Sequence, residues 1–449
     1  MAAIAAQVDA EAAHSGLPGF AVTVTRGTSL LCAGGRGVDH AGAPMTATTP
    51  LSLASLSKSF TAVAAVRLAA RGEIALDRPV VAQLAEFDTA DPRGALITPR
   101  HLLTQTSGLT DATAHAEAID NAWDPAGAVA RLHSATLAAG PGARFAYTNA
   151  NYEVIARLLE VAGGAPFAEI LRREVFAPLG MVDTRVGART DTQPGAVSVL
   201  GVWAPRTWPA SLLSSGGAAG VVSTARDMGR WFGFQNGDGA PLLSARDLTS
   251  MHVPGDPRRT YAMGWIVDDA TADHPVLGHT GSMLTRSSAQ IIDPRTGIGV
   301  AVATESASMS DDTYEMARRL YATAAGAPVD PPPPVRQIVD GVLAGASLLA
   351  AILGALGVAR ARRWSERRAS SRRWTVVLRL LPSAAALAVM LGLPWIGGVL
   401  FGRTLTWAVL FTFLASVTTL VVVAGTAGAV TLVARVAALR RIARLGSGS

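Results

Sequence analysis

The sequence predicts an α+β domain, with an antiparallel sheet built from both of its ends around a helical insertion, followed by three membrane-spanning helices. Three observations predict it. Short strand-like runs, bounded by turn residues, gather near the start and again between positions 260 and 305. The stretch between them, roughly 66 to 225, is mostly helical in pattern with loops. Three long apolar runs then follow "GAPVDPPPPVRQ" (326–337), whose four consecutive prolines form a stiff, extended spacer.

In chain order, "MAAIAAQVDAEAAHSGLPGF" reads as an amphipathic helix opening a folded domain. "GFAVTVTRG" and "SLLCAGGRGV" read as an antiparallel strand pair turning at Gly27. "TYAMGWIVDD", "PVLGHTGS", "RSSAQIIDP" and "GIGVAVATE" read as four more short strands, with "DPRTG" and "GHTGS" supplying turn residues. "DDTYEMARRLYATAAG" closes the domain as a helix. The expected boundaries are a domain over 1–328, a proline-rich linker over 329–337 and a membrane domain over 338–445. Its spans are 338–359, 380–401 and 405–433. The first holds 22 residues, enough to cross a bilayer at about 1.5 Å per residue.

Charge divides the chain in the same place. Residues 336–449 carry 14 arginines against Asp340 and Glu366, a net of +12; with +6 for the whole chain, residues 1–335 carry −6. An acidic larger part removes the main support for a nucleic-acid partner. "ARARRWSERRASSRRW" joins the first two spans and "RVAALRRIARL" follows the third. The positive-inside rule puts both in the cytoplasm, so the "GRT" turn at 402–404 and everything before Ile338 face outward. The start shows no basic segment with a long apolar core, so an export signal is expected to have preceded it, and the final "GSGS" reads as an appended segment. Cys32 is the single cysteine, which rules out an intrachain disulfide and fits any compartment.

Lys58 is the only lysine in the chain; arginine takes every other basic position. It belongs to "SLSK", which sets Ser55 and Lys58 at i and i+3, one face of a helix that "FTAVAAVRLAA" continues. A serine hydroxyl at a helix start attacks a carbonyl only when a neighbour takes its proton, and arginine does not deprotonate in proteins. An amine is therefore the chemical requirement at position 58. Two further stretches supply partners. Tyr147-Thr148-Asn149 lies in a loop before a helix, offering a phenol to share a proton with Lys58 and an amide to bind substrate. His279-Thr280-Gly281 ends a strand, where the Thr280 hydroxyl and the side-chain-free Gly281 can receive a substrate backbone. The N–H groups of Ser55 and Ser282 are candidates for an oxyanion hole.

This set, "SLSK" then "YTN" then "HTG", resembles the serine β-lactamase-like and penicillin-binding protein superfamily, in its class C β-lactamase, D-Ala-D-Ala carboxypeptidase and esterase branch. "PLSLASLSKSFTA", "ITPRHLLTQTSGL", "PGARFAYTNANYEVIARLLE", "FAPLGMVDT", "GGAAGVVSTARDMGRW" and "GHTGS" run in that family's order over about residues 15 to 325. The resemblance implies a β-lactamase-like fold, Ser55 as the acylated nucleophile, and Lys58 with Tyr147 as the acid–base pair. It makes Asn149 a substrate-binding residue and lets His279, Thr280, Gly281 and Ser282 line an edge strand. Class C lactamases carry lysine where this chain has His279, which argues against efficient β-lactam hydrolysis. No cofactor is expected: the histidines show no paired metal-ligand spacing, and no Gly-x-x-x-x-Gly-Lys loop is present. The expected activity is a membrane-anchored serine hydrolase or acyltransferase acting on a peptide (D-Ala-D-Ala-like) or an ester. Two alternatives stay open: a transpeptidase or peptide macrocyclase of the same fold, and a non-catalytic receptor for peptidoglycan-like ligands.

Overall fold

The computed structural model describes residues 1–255, 260–268, 276–310, 312–331, 333–402 and 405–446. Asp269 and Pro275 of the expected strands, Pro332 of the spacer, residues 403–404 of the "GRT" turn and the last three residues of "GSGS" lie outside the described residues. The chain forms two compact units, the first over 1–196, 205–307 and 311–333, the second over 197–204, 308–310 and 334–449.

The first unit is organised by a six-stranded sheet. Its strands are β1 (Gly19–Arg26), β2 (Ser29–Gly37), β3 (Ile266–Asp268), β4 (Val276–Ser282), β5 (Ser287–Asp293) and β6 (Ile298–Thr304), in the order β2-β1-β6-β5-β4-β3. Neighbours pair antiparallel throughout, and the joint between the two ends of the domain is β1 on β6, with Val22 opposite Val302. Alternation divides the side chains between two faces. On one, Phe20, Val22 and Val24 of β1 pack with Ile291 and Val300 against Ile4 and Val8 of helix α1 (Ala2–His14) and Met316 and Leu320 of a C-terminal helix (Asp312–Ala324). On the other lies helix α2 (Ser57–Ala70), tied to β5 by Gln290 Nε2 donating to Ser59 Oγ at 3.1 Å. Phe60 of α2 stacks on Trp231 with ring centroids 3.9 Å apart. This apolar core continues through helix α3 (Ala150–Gly163), where Tyr152, Val154, Ile155 and Leu158 are buried.

Three expectations need correction. "GHTGS" is not a turn: it lies within β4, and the chain reverses after it, because His279, Thr280 and Gly281 find backbone partners in Gln290, Ala289 and Ser288 of β5. Of "TYAMGWIVDD" only Ile266–Asp268 is a named strand; Gly264 turns with a positive φ of +79° just before it. The insertion also holds strands Gln193–Val199 and Val202–Trp208, whose polar, proline-containing sequences hide a β pattern.

In the second unit, three helices are long and apolar enough to cross a membrane: α4 (Val335–Ala359), α5 (Arg373–Phe401) and α6, which runs Ala415–Gly446. The first starts inside the expected linker. The third apolar run is not one helix, since a short helix, Trp407–Phe413, ends at Leu414 (φ −122°, ψ 40°) before α6 begins. Both α4 and α5 pack on α6 through small residues, Gly354 against Ala427 and Gly428 against Ser383, which let backbones approach closely. Asp340 of α4 is buried, and its carboxylate accepts from the hydroxyls of Ser198 at 2.5 Å and Ser416 at 2.7 Å.

Candidate active site

Ser55 sits on a single 3₁₀ turn, Ala54–Leu56, that leads directly into α2. Ala54 has a left-handed backbone, φ +46°, which costs energy for a residue with a Cβ and which the buried surroundings enforce. One turn on, Lys58 is fully buried. Its ammonium donates to Ser55 Oγ at 3.2 Å, Asn149 Oδ1 at 2.9 Å and the Ala218 carbonyl at 2.9 Å. All three acceptors are neutral, so among the described residues Lys58 is held without a direct ion pair. Its Nζ also lies 4.8 Å from the ring centroid of Tyr147.

Tyr147 approaches from the loop before α3, and its hydroxyl donates to Ser55 Oγ at 3.0 Å. Ser55 Oγ therefore meets the amine and the phenol together. The loop owes its position to Gln105, which lies in "ITPRHLLTQTSGL" and shows no sign of this role in the sequence. Gln105 is buried with φ +58°, and its Oε1 accepts from Thr148 N at 3.2 Å and Asn151 Nδ2 at 2.5 Å. Its carbonyl accepts from Ala146 N at 2.9 Å.

The end of β4 lies against the Ser55 turn. A Cβ on Gly281 would come within 2.6 Å of the Leu53 carbonyl, so the strand can approach that closely only as glycine. Ser288 Oγ of β5 donates to the same carbonyl at 2.8 Å. Among the described residues, strand β3 pairs with Val276, Leu277 and Gly278, and the expected binding residues 279–282 lie beyond that pairing. Ser282 is exposed at the strand end. Thr280 pairs opposite Ala289, and among the described residues its hydroxyl is not bonded to Ser55, Lys58 or Tyr147.

His279 is buried, and both ring nitrogens are engaged. Nε2 meets the Tyr261 hydroxyl at 3.2 Å, and Nδ1 meets the Thr280 carbonyl at 2.6 Å. A carbonyl only accepts, so Nδ1 carries the proton and Nε2 accepts from the phenol. Burial, with the Lys58 charge nearby, lowers its pKa to about 3. The imidazole is neutral at physiological pH. Burial raises the Tyr261 phenol well above its ordinary value, so it remains a donor. Tyr261 also packs on Tyr147 and Phe145, with ring centroids 5.8 and 5.6 Å away. Neither Tyr261 nor Glu153, whose carboxylate accepts from the backbone N–H groups of Gly217 and Ala218, was found by sequence reasoning. Their motifs carry no local sign of the contacts they make.

A family model described as "Beta-lactamase" matches residues 4–325. Among curated proteins, esterase EstB of Burkholderia gladioli is 39% identical over 158 residues, covering 32% of this chain and 40% of EstB. Protein flp of Staphylococcus aureus is 22% identical over 297 residues, covering 64% of this chain and 59% of flp. The chain thus spans less than two thirds of the length of either relative. Among solved structures, EstCE1, a hydrolase with promiscuous acyltransferase activity, superposes with a TM-score of 0.60 at 20% identity, covering 72% of this chain and 98% of EstCE1. The octameric penicillin-binding protein homologue from Pyrococcus abyssi gives 0.59 at 22% identity, covering 72% and 77%. These structures share the fold. With a family match across most of the first unit, the chain belongs to the family described as Beta-lactamase, and it carries three further helices long and apolar enough to span a membrane.

Proposed function

We propose that the protein is a membrane-anchored serine hydrolase that works through an acyl-enzyme on Ser55. The observation that carries this reading is the convergence of the Lys58 amine and the Tyr147 phenol on one serine hydroxyl, at 3.2 and 3.0 Å. In the arrangement described, both groups donate to Ser55 Oγ, so one of the pair must release a proton before the serine can give up its own. The serine oxygen then attacks the substrate carbonyl, and its proton passes to the Lys58–Tyr147 pair. The oxyanion is held by the N–H groups of Ser55 and Ser282. The pair returns the proton to the departing alcohol or amine, leaving an ester on Ser55 that water hydrolyses. Asn149 steadies Lys58 through its Oδ1 while its Nδ2 donates to Asp120 Oδ1 at 3.5 Å, and residues 279–282, beyond the pairing with β3, receive the substrate backbone.

The neutral His279 bears on substrate choice. The single lysine is committed beneath Ser55, so β4 presents a neutral imidazole rather than a cation. An ester or amide without a carboxylate at that point suits this strand better than a D-Ala-D-Ala terminus or a β-lactam. The charge asymmetry of residues 336–449 supports placing the first unit outside the cytoplasm.

Intact-mass analysis after treatment with a fluorophosphonate tests the reading. One adduct is expected on the wild-type protein and none on Ser55→Ala. A panel of neutral esters, D-Ala-D-Ala peptides and a fluorescent penicillin then ranks the substrates. An adduct retained by Ser55→Ala would remove Ser55 as nucleophile, and an unlabelled wild-type protein would favour a non-catalytic receptor.

A further inference from the structure

We propose that Glu153 is a positioning residue for acyl transfer: its buried carboxylate grips the turn at 216–218, and that turn holds Lys58 beneath Ser55. The inference rests on the reading of Ser55 and Lys58 given above.

Glu153 lies in the first turn of α3, four residues after Asn149, and is 1% exposed. Each of its oxygens takes one backbone donor: Oε2 accepts from Gly217 N at 3.1 Å and Oε1 from Ala218 N at 3.0 Å. The carbonyl of Ala218 then accepts from Lys58 Nζ at 2.9 Å. The carbonyl of Gly217 accepts from Thr61 Oγ1 of α2 at 2.8 Å, so the turn is pinned from both helices. Position 216 is shaped to the carboxylate as well, since a Cβ there would lie 2.5 Å from Oε1. Helix α3 and the residue at its start thus support Lys58 twice, directly through Asn149 Oδ1 and indirectly through Glu153 and Ala218.

Only an ionised carboxylate offers both oxygens purely as acceptors. Protonation turns one into a donor facing an N–H, and it removes a negative charge beside the Lys58 amine. The charged groups that face Glu153 are Lys58 from α2 and Asp120 from the helix Ala116–Asp120. Burial raises the Glu153 carboxyl to about 7, the two backbone N–H groups oppose that rise, Asp120 adds to it and Lys58 opposes it. The clamp therefore changes state close to neutrality. The sign for stability is opposite to that for activity. The folded-state value exceeds the ordinary carboxyl value of 4.5, so Glu153 contributes fully to stability below that value and loses the contribution as pH rises through about 7. Acylation should gain over the window in which this contribution to stability falls.

The test measures acylation of the full-length protein in detergent by a neutral activated ester, for wild type and Glu153→Gln, from about pH 5 to 9. The amide is nearly isosteric, keeps one acceptor and cannot ionise. We expect kcat to fall about 10- to 100-fold with KM changed less than about threefold, and the acidic inflection near neutrality to disappear. A Glu153→Gln protein acylated within about twofold of wild type, or one that keeps the same inflection, overturns the proposal. Should the variant fail to fold, the wild type alone decides. Its protonated-carboxyl infrared band should titrate in step with the acylation rate, and a rate that stays flat through that titration overturns the proposal. Failure of the underlying reading would appear separately, as labelling of Ser55→Ala.

Discussion

The two units use their basic residues in opposite ways. The first buries one lysine among three neutral oxygen acceptors, from Ser55, Asn149 and Ala218. The second carries 14 arginines between positions 336 and 449, concentrated in the 360–373 loop and after Val433. There guanidinium groups supply permanent charge near the ends of helices long and apolar enough to cross a membrane. Beside Ser55 the proposed mechanism reverses the requirement: the group must release and recover a proton, which an amine can do and a guanidinium cannot. On that proposal, the chain's single departure from arginine marks a proton-transfer position and not simply a positive one.

Lys58→Arg is the sharpest way to break that comparison. It preserves the charge and removes the proton-accepting capacity, so acylation should fall about 1,000-fold or more, ~4 kcal/mol of barrier, as measured by stopped-time intact-mass labelling. Near-UV circular dichroism on the same sample controls for folding, because the larger guanidinium enters a fully buried site. Retention of more than about a tenth of the wild-type rate, ~1.4 kcal/mol, would make Lys58 an electrostatic residue and erase the contrast. Tyr147→Phe comes next. The ring remains packed on Tyr261, but the 3.0 Å contact to Ser55 Oγ is lost, and a reduction of about 100-fold is expected. An unchanged rate would leave the lysine working alone.

The smallest effect on activity belongs to the arginine side of the comparison. Ser370 is exposed in the basic loop, and Ser370→Cys should leave acylation unaltered. The new thiol should resist a membrane-impermeant maleimide in intact cells and react after lysis. Cys32 is partly buried in β2, and the protein without the substitution serves as its control. Labelling in intact cells would reverse the orientation and put the catalytic unit in the cytoplasm.

Local features of this protein were legible in the sequence because they depend on neighbours. The i, i+3 spacing of Ser55 and Lys58 decides that they share a helix face, and apolar length decides that three helices can span a bilayer. Short strand-like runs bounded by turn residues revealed the β1–β2 hairpin and the β4–β6 strands for the same reason. The tertiary structure alone decided what closes around Ser55. Tyr147 reaches it across 92 positions and the Ala218 carbonyl reaches Lys58 across 160, distances over which no spacing rule operates. It also decided the state of His279. Seen as "GHTGS" that residue had a turn's composition; paired with β5 and bonded to Tyr261 it is a buried, neutral acceptor. Burial and hydrogen-bond partners set protonation, and both come from segments distant in sequence. On the proposed reading, the type of chemistry is written locally, in one serine and one lysine, while the protonation of the groups around them is settled by packing.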